Sequence, residues 1–125
     1  MPPEAGLAAR VELVVTEADT AAAVGSGDVA VLATPRIAAL VEETAVAAVA
    51  GSLRAGETTV SMRVQLDHLT PAAVGETVTA TVKLDKVEGR RLLFSASVSD
   101  ARGLVAAGKL IRVVVDRGAF LDKCR

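Results

Sequence analysis

The sequence predicts an α+β chain in which an antiparallel sheet packs on one long, buried helix. Three observations carry this. Residues 34–51 are apolar on nearly every helical face, with a start signal and a stop signal at the ends. Residues 59–115 alternate apolar and polar side chains in several separate runs. Short Gly-containing turns join the last of these runs, so their strands form an antiparallel meander. At 125 residues, 51% of them apolar, the chain is long enough to bury a core without disulfides or metals. It reads as one domain, residues 1–125, with its core at about 7–118.

The elements follow in order. Residues 7–16 form a first strand, with Leu7, Val11, Leu13 and Val15 inward. Thr16 and Asp19 have the spacing of a capping box and open a short helix or turn through Ala23. Gly25-Ser26-Gly27-Asp28 breaks the chain, and residues 29–33 are a short apolar segment. Thr34 is then expected as an N-cap and Pro35 as the first helical residue. Ile37, Leu40, Val41, Thr44, Ala45 and Ala48 recur at helical spacing, and Gly51 ends the run. Ala38, Ala39, Val46, Ala47, Val49 and Ala50 make the other faces apolar too, and a helix apolar all round is a buried one.

Strand periodicity takes over afterwards. Val60, Met62, Val64, Leu66 and His68 share one phase and should point at the helix. Val78, Ala80, Val82 and Leu84 do the same, then Leu92, Phe94, Ala96 and Val98, then residues 104–115.

Composition excludes several classes of function. Phe94 and Phe120 are the only aromatics, too few for a protein that stacks bases, and the net charge is −1. No nucleic-acid partner is expected. Cys124 stands alone one residue from the C-terminus, a poor place to hold a reactive thiol. No Cys/His cluster has metal spacing. No signal peptide or membrane-spanning run is read, so the expectation is a cytoplasmic chain without a membrane partner.

Three residue types remain that could carry chemistry. Glu42 and Glu43 interrupt the apolar helix, and a carboxylate pushed toward low dielectric needs a partner. His68 is the only histidine, on the face that should meet the helix. Thr34 lies at a helix N-terminus, which attracts developing negative charge. Each has a plain alternative: solvated helix edge, satisfied core histidine, simple cap. Thr34 and Glu42 are eight positions apart. On one helix that is about 12 Å of rise, so the two cannot touch. A site using both needs a second molecule or a long reach. Glu42 is therefore expected to face His68, with Thr34 joining from the other protomer's helix.

These residues together resemble the fluoroacetyl-CoA thioesterase family of hotdog-fold enzymes. The segments that carry the resemblance are Ala33-Thr34, Glu42, Asp67-His68 leading to Pro71 and Gly75, residues 87–92, and Gly108 to Arg112. The resemblance implies a hotdog fold, a curved antiparallel sheet wrapped around the helix. It implies hydrolysis of a small or medium acyl-CoA thioester by Thr34, Glu42 and His68 at a homodimer interface, in a dimer or higher oligomer. Arg112 and Ser61 would serve the substrate, Ser61 standing where the family has Gly. No cofactor or metal is implied, CoA being part of the substrate. Residues 24–32 lack the family's aromatic lid. With Ser61, that difference keeps open an alternative: a non-catalytic module binding acyl-CoA or another small ligand.

Overall fold

The computed structural model describes residues 2–125. Strand β1 (Ala8–Val14) leads through a 3-10 turn (Glu17–Asp19) and a one-turn helix α1 (Ala21–Val24) to the long helix α2 (Thr34–Val49). Four strands follow: β2 (Glu57–His68), β3 (Thr77–Glu88), β4 (Arg91–Asp100) and β5 (Gly103–Asp116); a short helix α3 (Arg117–Asp122) ends the chain. All five strands form one antiparallel sheet in the order β1-β3-β4-β5-β2. β1 and the long strand β2 are therefore its two edges.

The expected alternation builds the core. Val78, Ala80, Val82 and Leu84 from β3 and Leu92, Phe94, Ala96 and Val98 from β4 are all buried. They pack on Ile37, Leu40, Val41, Ala45 and Val49 of α2. Each large apolar side chain removed from water this way contributes about 1.5–3 kcal/mol, which outweighs the modest helix propensity of the branched residues in α2.

Three β-bulges bend the sheet, at Met62 in β2, Asp85 in β3 and Val105 in β5. The first corrects the reading of β2. Directly opposed residues of an antiparallel pair share a face. Thr59 opposes buried Val114, and Val64 opposes buried Leu110. The helix-facing set is thus Thr59, Ser61, Val64, Leu66 and His68. Val60 opposes Val113 on the outer face, and Met62 is the extra residue. One inserted residue flips the phase.

A second correction concerns α2. Its sheet covers only one side. Ala39, Glu43, Val46, Ala47 and Ala50 form an exposed stripe, with Val46 45% exposed. A single sheet layer cannot enclose a helix, so the apolar pattern all round is only half used within one chain.

Candidate active site

The sequence around residue 34 folds differently from the expected cap. Ala33, with extended backbone, is the N-cap, and Thr34 is the first helical residue. Its hydroxyl makes no capping bond. Instead Thr34 Oγ1 lies 2.8 Å from Nδ1 of His68 in the same chain. His68 closes β2, whose last residue stands level with the first turn of α2. The expectation that Thr34 joins His68 from another protomer is therefore corrected. The eight-residue spacing separates Thr34 from Glu42 but does not say which end of the helix the histidine strand reaches.

The other imidazole nitrogen, Nε2, is buried without a hydrogen-bond partner. A buried unpaired polar atom costs about 1–3 kcal/mol, so it marks a place where a partner belongs.

The segment after His68 is tied down. The amides of Leu69 and Thr70 both donate to the carbonyl of the bulged Val105, at 2.8 and 3.2 Å. Ahead of Thr34, the Leu32 amide donates to Ala72 O and the Ala33 amide to Asp19 O, both at 2.9 Å. The amides of Arg36 and Ile37 both reach Ala33 O. Pro35 has no amide hydrogen. Among the described residues, the Thr34 amide is the one in this stretch with no acceptor, at the positive end of the helix.

Glu42 belongs to a second group. Its carboxylate is one-third exposed and lies 3.7 Å from Arg112 Nη1. Arg112 is buried on the helix-facing side of β5. Its Nε donates to Thr59 Oγ1 at 3.0 Å and its Nη2 to Thr59 O at 2.9 Å. Burial lowers the Arg112 pKa, and the Glu42 carboxylate works against that shift. Ser61 opposes Arg112 across the β2–β5 ladder and is itself exposed. Glu43 is exposed, at the helix edge. Thr59 was missed in the sequence because the continuous alternation through Met62 put it on the wrong face. The available signal was Arg112, a cation in the inward phase between Leu110 and Val114 that needs acceptors.

Thr34 with His68, and Glu42 with Arg112, Thr59 and Ser61, thus sit toward opposite ends of β2. Ser61 and His68 are separated by about 20 Å of strand. Among the described residues, no three His, Cys, Asp or Glu side chains converge as metal ligands, and no helix is long and apolar enough to cross a membrane.

Comparisons with known proteins bear on the fold and the family. The profile of a family described as "FlK: Fluoroacetyl-CoA-specific thioesterase" matches residues 15–118. A fluoroacetyl-CoA thioesterase of Streptantibioticus cattleyicolor is 34% identical over 95 residues, which cover 76% of this chain and 68% of that protein. A solved structure of the fluoroacetyl-CoA thioesterase FlK superposes with a TM-score of 0.93 at 27% identity, over 100% of this chain and 97% of the other. A Thermus thermophilus protein described as a thioesterase superfamily member gives 0.92 at 26% identity, over 100% and 93%. The sheet order, the wrapped helix and these matches define a hotdog-fold thioester hydrolase acting on acyl-CoA. Within that class, the chain belongs to the fluoroacetyl-CoA-specific thioesterase family. The family match supports thioester hydrolysis over a non-catalytic binding module.

Proposed function

We propose that the chain hydrolyses small or medium acyl-CoA thioesters in the cytoplasm, with Thr34 and His68 of one protomer and Glu42 of a second forming each site. The observation that carries this is the 2.8 Å contact between Thr34 Oγ1 and His68 Nδ1, opposite a buried, unpartnered Nε2. A hydroxyl in hydrogen-bond reach of an imidazole nitrogen is the pairing of a nucleophile with its base.

With the proton on Nε2, Nδ1 accepts the Thr34 hydroxyl proton as Thr34 Oγ attacks the thioester carbonyl carbon. The Thr34 amide, at the helix N-terminus, donates to the oxyanion. The C–S bond breaks and the CoA sulfur leaves with the proton that His68 took. Water, deprotonated by His68, then releases the acid and restores Thr34. CoA enters as part of the substrate, and none of these steps calls for a metal or cofactor.

The dimer is argued from β2 and α2. β2 is a twelve-residue edge strand with one rim unpaired. Val46 in the exposed stripe of α2 and Met62 and Val64 of β2 are all large apolar side chains left exposed. Antiparallel pairing of two β2 edges around a two-fold axis sets the His68 end of one strand against the Thr59–Ser61 end of the other. Glu42, held by Arg112 at that end, is then brought toward the partner's His68.

Residues 25–28 read Gly-Ser-Gly-Asp, with exposed Val24 and Val29 beside them. No aromatic ring is available there to select a fluorinated acyl group. The proposed substrates therefore include plain acyl-CoAs beside fluoroacetyl-CoA. The test is hydrolysis of acetyl-, fluoroacetyl-, butyryl- and hexanoyl-CoA by the protein and by His68→Ala and Glu42→Ala. Turnover that survives unchanged in both variants would sink the proposed site.

A further inference from the structure

Asp19 lies outside the residues that carry the proposed chemistry, yet it is 8% exposed and its carboxylate is fully engaged. Oδ2 accepts from the Thr16 amide at 2.8 Å and the Thr16 hydroxyl at 3.0 Å. Oδ1 accepts from Arg36 Nε at 3.0 Å. The main-chain carbonyl of the same residue accepts the Ala33 amide at 2.9 Å. Capping the three-residue turn Glu17–Asp19 explains the bonds to Thr16. It does not explain the other two. They reach across to the residue before Thr34 and to the residue two after it.

We infer that Asp19 is a positioning residue for Thr34, its carboxylate and carbonyl together fixing the first turn of α2 so that the Thr34 hydroxyl meets His68. The inference rests on the reading of Thr34 as the reacting hydroxyl. Thr34 is exposed, and its hydroxyl has His68 as its one partner among the described side chains. Its direction is set by how α2 is rotated and seated. A helical Cα lies about 2.3 Å from the axis, so a rotation of some 20–30° displaces the side chain by roughly 1 Å. A slip of that size costs up to about 10²-fold in rate. The segment has other tethers. Leu32 bonds Ala72 and pairs with Thr20, so loss of the Asp19 carboxylate loosens the turn without unfolding it.

The test uses the full chain with acetyl-CoA and butyryl-CoA as probes. Variants are Asp19→Asn, Asp19→Glu, Thr34→Ala and the double Asp19→Asn/Thr34→Ala. Asp19→Asn should lower kcat about ten- to a hundredfold while KM moves less than about twofold. Asp19→Glu, a regular capping-box residue, should restore kcat to within about threefold. In the Thr34→Ala background, Asp19→Asn should cause no further loss, because the group it positions is gone. A merely structural role would lower both backgrounds alike. If Asp19→Asn does not fold, Arg36→Gln cuts the same link from the other side and is read the same way. Wild-type kcat in Asp19→Asn, or an equal loss in both backgrounds, overturns the inference and leaves the Thr34 reading standing. Full turnover by Thr34→Ala overturns the reading of Thr34 and the inference with it.

Discussion

Thr34 Oγ1 and His68 Nδ1 stand 2.8 Å apart although 34 residues separate them in the chain. The contact is made inside one protomer, between the first turn of α2 and the last residue of β2. In the proposed mechanism it gives the hydroxyl a base, and the hydroxyl makes no cap of the helix. Thr34→Ser keeps the oxygen and should hold kcat within about tenfold of the parent. Thr34→Ala should lower it by about 10²–10⁴, the range for losing a positioned proton-transfer partner. Steady-state kinetics with acetyl-CoA decides between them. Because the hydroxyl does not cap α2, neither change should move the melting temperature by more than about 3 °C.

The Asp19 carboxyl gives a pH-dependent stability. Burial alone would raise its pKa, but the Thr16 amide and hydroxyl and the Arg36 guanidinium outweigh burial and hold it below 3.8. A carboxyl with a depressed folded-state pKa contributes stability above its unfolded value and loses it as pH falls through the folded one. Asp19→Asn should therefore be less stable than the parent at pH 7, by about 1 kcal/mol. The gap should close as the pH falls below 3.8 and on through the depressed folded-state value. Urea unfolding at pH 7 and across that acid range measures it.

Gly108 sets how closely β5 and β2 approach. A Cβ there would overlap the Gln65 carbonyl oxygen and come within 2.9 Å of Leu66 Cα, all backbone atoms that cannot step aside. Gly108→Ala should cost about 2–3 kcal/mol, as overpacking does. It should also lower kcat, because the strand it displaces ends at His68 two residues beyond Leu66. A variant with parental melting temperature and kcat would contradict this.

The exposed stripe of α2 is predicted to be covered by a second copy. Val46→Lys should shift the protein to monomers by light scattering, keep its far-UV circular dichroism and lose turnover. A dimeric, fully active Val46→Lys would rule the stripe out as the interface.

Much of this was legible in the sequence, for definite reasons. The core faces of β3 and β4 follow from strict alternation between two Gly turns, and α2 follows from its Pro start and Ala-rich run. Thr34 and His68 stood out because a threonine before Pro and a lone histidine on an apolar face are chemically conspicuous. Two things were hidden. The bulge at Met62 leaves no mark in the hydrophobic pattern, since Val60 finds apolar company beside Val113 on the outer face. That concealed Thr59 and its bonds to Arg112. The vertical level at which β2 meets α2 was also hidden, because periodicity fixes faces and not heights. That is why Thr34 was expected across an interface.

The central claim is that each site takes Thr34 and His68 from one protomer and Glu42 from the other. Mixing refolded His68→Ala and Glu42→Ala chains, each inactive alone, tests it most directly. Random pairing makes half the dimers mixed, and each mixed dimer has one intact site. The account predicts recovery of about a quarter of the parental acyl-CoA hydrolysis from an equimolar mixture. Recovery of none, with mixed dimers verified by mass spectrometry, would contradict it.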